Sequence, residues 1–163
     1  MLRALFALVL LSLSVLPQSA AAQDVADLTP LPGWEVVQTT HDFETLVERT
    51  RAAVSGNGLA VVTRAGPTGA AANRGITIPG NMVVGAFNNV FAVRILSLST
   101  EAMIHAPIRL YVTENADGSA TLSYIRPSTL FAPYVDDAGP ALAEAAAELD
   151  TIFAAIAQDA AAL

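Results

Sequence analysis

A predicted β-hairpin constrains the fold of this chain more than any other feature. The turn sequence N-A-D-G at 115–118 separates two short segments, and Asp-Gly accepts the positive φ angles that tight hairpin turns require. Before the turn, Pro107–Glu114 alternates, with Ile108, Leu110 and Val112 on one side and Arg109, Tyr111 and Thr113 on the other. After it, Ala120–Ile125 supplies the partner strand and Pro127 ends it. The sequence therefore predicts a pair of antiparallel strands.

The C-terminal segment is the clearest helix in the sequence. From Pro140 to about Ala160 the apolar residues recur at helical spacing and build one stripe: Leu142, Ala145, Leu149, Ile152, Phe153 and Ile156. The charged and amide side chains fall largely outside this stripe. Alanine fills many of the remaining positions, which favours the helix and permits close packing.

Strands and helices alternate in the N-terminal half. Trp34–Thr39 is rich in β-formers and predicts a strand. Residues 40–42 offer N-cap chemistry for a helix, whose apolar positions recur through Phe43–Val54. Gly56–Gly58 ends that helix, because glycine and asparagine tolerate a left-handed cap. Leu59–Thr63 then predicts a second strand.

The middle of the chain gives two clear predictions and one ambiguous segment. Ala70–Arg74 is expected to form a brief helix that Gly75 ends. Met82–Phe87 is apolar and uncharged, which is typical of an interior strand covered on both faces. The pattern of Val90–Leu98 is compatible with a strand or a helix.

Together these elements predict a single compact α+β domain over residues 34–160. We expect a mixed or antiparallel sheet of about five strands with helices packed on it, and a long C-terminal helix. Residues 23–33 contain Pro30, Pro32 and Gly33, and they are expected to form an irregular lead-in.

Residues 1–22 have the parts of a cleavable secretory signal peptide. Arg3 provides a positive start, Ala4–Leu16 is an uncharged stretch of apolar residues and serines, and alanines ending at Ala22 fit the A-x-A requirement of the peptidase. Cleavage is therefore expected between Ala22 and Gln23. A membrane anchor needs about 20 apolar residues, more than Ala4–Leu16 supplies. We expect a periplasmic or secreted bacterial protein whose mature form has no membrane span.

Composition excludes several classes of function. Without cysteine, the chain has no disulfide scaffold, thiolate metal site, cysteine nucleophile or lipidated thiol. Its 8 basic residues are all arginine and stand against 15 acidic ones, which gives a net charge of −7. Because a chain this acidic repels phosphate backbones and anionic membrane surfaces, nucleic acid is not an expected partner.

Several short motifs occur in the order and spacing of a known bacterial family. They are D-F-E-T-L at Asp42–Leu46, an asparagine after an apolar strand at Asn88, I-H-A-P-I-R at Ile104–Arg109, and Y-I-R-P-S-T-L at Tyr124–Leu130. In this order the chain resembles the domain-of-unknown-function 302 family from Trp34 to Ile156. The resemblance implies a compact α+β fold, a helix at Val90–Leu98 and a homodimer. It implies no activity, because none is assigned to the family.

The chain departs from the polar motifs of that family at three places. Ala65-Gly66-Pro67 replaces an Ile-Asp-His triplet, and Ala86–Asn89 replaces an F-G-N-P segment while keeping its asparagine. His105 replaces the acid of a D-L-P-L segment whose proline and following apolar residue are kept at 107 and 108. The resemblance therefore carries no intact site into this chain.

Four residues are candidates for a ligand site: Asn88, His105, Arg109 and Tyr124. Asn88 ends a strand, where open sheets place ligand-facing groups, but asparagine also caps helices. His105 could hydrogen-bond as the family's acid would, or titrate near neutral pH. Arg109 could clamp a carboxylate or phosphate, or pair with an internal acid. Tyr124 fits packing as well as binding.

No catalytic or metal-binding set is visible in the sequence. His41 and His105 are the only histidines, and neither has a metal-type partner nearby in sequence, so no metal site is predicted. A capping or surface role fits His41. The serines lack a G-x-S-x-G elbow, and the nucleotide-binding, H-E-x-x-H and EF-hand patterns are missing. The identity of any cofactor stays open.

Two functional hypotheses follow. The first is a non-catalytic periplasmic module that binds an unknown small ligand or periplasmic protein and acts as a homodimer, through its long C-terminal helix or the Val90–Ile95 region. The second is a small periplasmic enzyme with a polar site around Asn88, His105 and Tyr124. The second requires these side chains to converge in one cleft, because acid–base catalysis needs contact distances.

Overall fold

The computed structural model describes residues 21–22 and 28–163. Gln23 and residues 1–20 of the predicted signal peptide lie outside the described residues. Ala21–Ala22 form the short strand β1, which pairs in parallel with Ile76–Thr77, strand β4.

A five-stranded antiparallel sheet forms the centre of the domain. Its strands are β2 Trp34–Gln38, β3 Ala60–Ala65, β5 Asn81–Phe87, β6 Ile108–Glu114 and β7 Ala120–Ile125. They are arranged in the order β2-β7-β6-β5-β3, and every neighbouring pair is antiparallel. The predicted hairpin is confirmed as β6 and β7, with Gly118 at a φ of 83° in its turn.

In the described part of the chain, six α-helices and two 3₁₀-helices connect or follow the strands. The α-helices are α1 Phe43–Gly56, α2 Thr68–Ala72, α3 Asn89–Leu98, α4 Pro127–Phe131, α5 Val135–Ala138 and α6 Pro140–Ala161. The 3₁₀-helices are Glu101–His105 and Ala132–Tyr134. Helices α1 and α6 pack against each other, and both contact the sheet.

The core lies between these two helices and one face of the sheet. Three sets of fully or almost fully buried side chains meet there: Leu46, Val47 and Val54 from α1; Leu142, Leu149, Phe153 and Ile156 from α6; and Leu110, Val112 and Leu122 from β6 and β7. Burial of each large apolar side chain contributes about 1.5–3 kcal/mol. The stripe predicted for the C-terminal helix is therefore confirmed as a core surface. It is not exposed for pairing with a second copy, as the sequence suggested it could be.

The ends of α1 follow the chemistry expected from sequence. A side-chain oxygen of Asp42 accepts a hydrogen bond from the Thr45 backbone N–H at 2.8 Å, which caps the first turn. Gly58 adopts a φ of 79° just after the helix and turns the chain into β3. Three other predicted elements are confirmed with shifted ends: the brief helix lies at α2, the strand after α1 is β3, and Val90–Leu98 is helical within α3.

The second face of the sheet differs from the prediction. Strand β5 is interior by hydrogen bonding, since it pairs with both β3 and β6. However, only the side that carries Met82, Val84 and Ala86 faces α1 and the core, because alternate residues of a strand point to opposite faces. Its other side belongs to a face that α1 and α6 do not cover, which we call the open face. The expectation that β5 is covered on both faces is therefore wrong.

Candidate functional site

A cleft of about 450 Å³ lies on the open face. Strands β2, β5, β6 and β7 form its floor, and His105 and Leu130 border it at the end where β6 begins and β7 ends. We call it the sheet cleft, and its lining residues are Trp34, Asn81, Val83, His105, Arg109, Tyr111, Ser123, Tyr124, Ile125 and Leu130.

Strand register explains why residues so distant in sequence meet in the sheet cleft. Tyr111 is the Cα partner of both Val83 and Ser123, so these three form one row across β5, β6 and β7. Trp34 is paired with Ile125 on the neighbouring strands. The side-chain amide of Asn81 donates a hydrogen bond to the Tyr111 hydroxyl, which fixes the phenol at the floor of the cleft.

Arg109 is placed on the open face by its neighbours in β6. Ile108 and Leu110 are buried in the core, so the intervening arginine points to the opposite side of the sheet and is exposed. Within the described part of the chain, ion pairs are formed by Arg51, Arg94 and Arg126, and Arg109 takes part in none of them. Among residues 21–22 and 28–163, no acidic side chain lines the sheet cleft.

His105 ends the 3₁₀-helix before β6 and lies beside two aromatic rings. Its Nε2 is 3.1 Å from the Tyr134 hydroxyl oxygen, and its ring packs edge-on against Phe131 and Tyr134. Burial lowers the pKa of His105 below its ordinary 6.5, and the positive charge of Arg109 lowers it further. The neutral imidazole is therefore the favoured form near neutral pH.

Tyr124 borders the sheet cleft, but its ring belongs to the core. It is 5% exposed, and its ring centroid lies 5.6 Å from that of Phe153 on α6. Burial, followed by the negative charges of Glu35 and Asp150, raises the pKa of Tyr124 to about 12. The hydroxyl therefore stays protonated near neutral pH, and the ring contributes core packing.

Asn88 has a structural task outside the sheet cleft. Its side-chain oxygen accepts hydrogen bonds from the Val90 and Phe91 backbone N–H groups at 2.8 and 3.1 Å, which caps α3. Its amide donates to the Gly58 carbonyl at 2.9 Å. Asn88 borders a separate cavity of about 30 Å³ on the core side of the sheet. The structure thus does not bring Asn88, His105 and Tyr124 together in one cleft.

Sequence reasoning missed most residues of the sheet cleft. Trp34, Asn81, Ser123 and Leu130 come from four different segments, and their meeting depends on strand order. One signal was available, because Arg109 and Tyr111 alternate with the buried residues of β6 and must face the other way. Of the four predicted site residues, His105, Arg109 and Tyr124 border the sheet cleft.

The lining combines polar and apolar groups. One guanidinium, one imidazole, two phenols, an amide and a hydroxyl stand among apolar and aromatic side chains. Across residues 21–22 and 28–163, no group of three or more histidine and acidic side chains is placed to hold a metal ion. Within the same residues, no helix has the length and apolar character needed to span a membrane.

The fold defines a single-domain α+β protein in which two helices cover one face of an antiparallel sheet and a cleft lies on the other. A family model described as "Domain of unknown function DUF302" matches residues 35–157. The chain therefore belongs to the DUF302 family, as its motifs suggested.

A solved structure supports the assignment of the fold. An uncharacterized conserved DUF302 protein from Bacillus stearothermophilus is similar to this chain with a TM-score of 0.70 and 20% sequence identity. The similarity covers 81% of this chain and 100% of that one. At this identity the comparison establishes the shared fold. No curated protein matches the chain.

Proposed function

We propose that the mature domain is a non-catalytic bacterial periplasmic module that binds a small ligand in the sheet cleft and acts as a homodimer. The observation that carries the proposal is the sheet cleft itself. Its volume of about 450 Å³ lies in the range of small-molecule sites, which are mostly apolar with a few placed polar groups. The periplasmic location rests on the signal peptide predicted from residues 1–22.

The chemistry of the lining favours binding without catalysis. General acid–base catalysis needs its groups within contact distance of the substrate, and Nε2 of His105 is engaged with the Tyr134 hydroxyl at 3.1 Å while the Tyr124 hydroxyl stays protonated near neutral pH. Ser123 is fully buried, and its hydroxyl is directed to the Tyr111 carbonyl at 3.5 Å. The enzymatic alternative around Asn88, His105 and Tyr124 has no common cleft to support it.

Native mass spectrometry of the protein purified from its own periplasm tests ligand binding. We expect wild-type protein to retain a small molecule, and Val83→Trp to lose it because the indole fills the cleft. The matched control is Val62→Trp, which adds the same ring at a 50% exposed position on β3 outside the cleft. Wild-type protein without a bound mass, or equal retention by both variants, would contradict the proposal. Thermal unfolding of both variants shows that they fold.

The homodimer is proposed to form through one side of α3. Val90, Val93 and Leu96 lie on adjacent positions of this helix and are 77%, 68% and 50% exposed. We call them the α3 surface. Arg94, the i+4 neighbour of Val90, is ion-paired with Glu148 at 2.8 Å, so its charge is offset where the apolar patch pairs with its own copy across a two-fold axis.

Sedimentation of the mature domain at micromolar concentration tests the dimer. We expect wild-type protein to sediment as a dimer and Val93→Glu as a monomer, because the carboxylate would be buried against the other copy. Ala154→Glu adds the same charge on the exposed side of α6 and should leave the dimer intact. A monomeric wild-type protein would contradict the dimer without affecting the ligand proposal.

A further inference from the structure

The lining of the sheet cleft carries a positive charge, whereas the chain as a whole is negatively charged. The chain carries a net charge of −7, yet among the residues that the structure describes Arg109 is the sole full charge in the cleft lining at neutral pH. The negative charges that act on Tyr124 belong to Glu35, which pairs with Arg126 at 3.6 Å, and Asp150, which accepts the Ser128 backbone N–H at 2.9 Å. Glu114 lines an adjoining cavity with Asn81 and Tyr111 and accepts the Gly80 backbone N–H at 2.6 Å. Among the described residues, the cleft lining itself therefore carries a positive charge in an acidic domain.

We infer that the ligand of the sheet cleft is a carboxylate on an apolar body, held by Arg109. This inference rests on the proposed binding function. A guanidinium is planar and always charged, and its fork of N–H groups matches the two oxygens of a carboxylate. One arginine balances one negative charge. A phosphate dianion would keep an excess charge in this acidic domain, because the chain has no lysine and no second arginine of its described part lines the cleft to compensate it.

The rest of the lining fits an apolar ligand body. Trp34, Val83, Ile125 and Leu130 surround the floor with aromatic and aliphatic surface. Apolar contact of this kind contributes about 25 cal/mol for each Å² removed from water. These residues supply affinity for the body of the ligand, while Arg109 supplies the preference for its charged end.

Tyr111 provides a second group for the charged end of the ligand. The Asn81 amide donates to the Tyr111 hydroxyl oxygen, which leaves the phenolic proton to donate to another acceptor. Tyr111 and Arg109 lie two residues apart on β6, so both side chains point to the open face. A carboxylate between them would accept hydrogen bonds from both.

The inference is tested with three probes that share one body: octanoate, 1-octanol and octylamine. Their dissociation constants are measured at neutral pH and low salt by calorimetry, with backbone amide NMR shifts to locate the site. We expect octanoate to bind the wild-type protein roughly 10-fold or more tighter than 1-octanol, because a charge-assisted pair is stronger than a neutral hydrogen bond. Octylamine should bind more weakly than 1-octanol, since its charge repels Arg109.

Variants separate the role of Arg109 from a general effect of charge. Arg109→Leu should lose the preference and bind octanoate no more tightly than 1-octanol. Arg109→Lys should keep part of the preference, because it retains the charge but loses the fork. Arg74→Leu removes the same charge from an exposed position outside the cleft and should keep the full preference.

The outcomes distinguish this inference from the proposed function. Equal binding of octanoate and 1-octanol to the wild-type cleft would overturn the carboxylate inference and leave the binding function standing. Octyl phosphate binding more tightly than octanoate would also overturn it. Absence of binding and of NMR shifts for every probe would count against both proposals.

Discussion

At the scale of single residues, the surroundings of the two predicted titratable site residues set their protonation. His105 is held neutral by burial and by the charge of Arg109, and Tyr124 is held protonated by burial. Residue types alone gave several possible roles, because histidine and tyrosine serve packing, binding and catalysis. The neighbours that set these protonation states come from distant segments, so they could not be identified from the sequence.

His105 should make folding stability depend on pH in a defined direction. Its pKa is lowered in the folded protein, so the unfolded chain binds the proton more tightly. Its contribution to stability is complete above the unfolded pKa of about 6.5 and is lost as pH falls towards the folded pKa. We expect the unfolding free energy of the wild type to fall relative to His105→Gln between pH 7 and pH 5. Urea unfolding at several pH values measures this difference. A constant difference across that range would contradict the lowered pKa.

At the scale of elements, local sequence signals predicted the existence of helices and strands better than the residues at which they begin and end. The hairpin, the helix after Asp42 and the long C-terminal helix were predicted because turn chemistry, capping and periodicity act within a few residues. Helices α4 and α5 and the two 3₁₀-helices were not predicted. They are at most five residues long, too short to show a helical period.

Asn88 should contribute to the stability of the fold by capping α3, and it should not contribute to ligand binding in the sheet cleft. Asn88→Ala removes the side-chain cap at the first turn and the hydrogen bond to the Gly58 carbonyl, so we expect a loss of about 1–2 kcal/mol. The neighbouring Asn89→Ala is the matched control and should change stability much less, because Asn89 is exposed at the start of the helix. Chemical denaturation measures both. Normal stability of Asn88→Ala, or loss of its cleft binding with the fold intact, would refute this assignment.

At the scale of the whole molecule, the two faces of the sheet differ in what covers them. One face is closed by α1 and α6 and contains the core, and the other carries the sheet cleft. The C-terminal helix was considered as a pairing surface because its stripe is apolar. That stripe is buried inside the domain, and three exposed apolar residues, Val90, Val93 and Leu96, lie together on α3 instead.

Export should produce a mature chain that begins at Gln23. Expression of the full-length gene in a bacterium, followed by N-terminal sequencing of the periplasmic protein, measures the cleavage position. Ala22→Asp should block processing and leave the precursor uncleaved, because the peptidase requires a small residue there. Ala26→Asp is the matched control beyond the site and should be cleaved normally. An uncleaved wild-type protein would contradict the signal peptide.

The sequence by itself determined the longer helices, the strands of the main sheet, the family and the residues of β6 that point away from the core. These depend on interactions within a short segment or on motif order. The tertiary structure decided which side chains share the sheet cleft, because strand order β2-β7-β6-β5-β3 brings Trp34 and Asn81 to the same face as Arg109. It also decided that Asn88 and Tyr124 serve the fold, since their partners Gly58 and Phe153 are about thirty residues away along the chain. Such pairings arise from packing, and local propensity does not encode them.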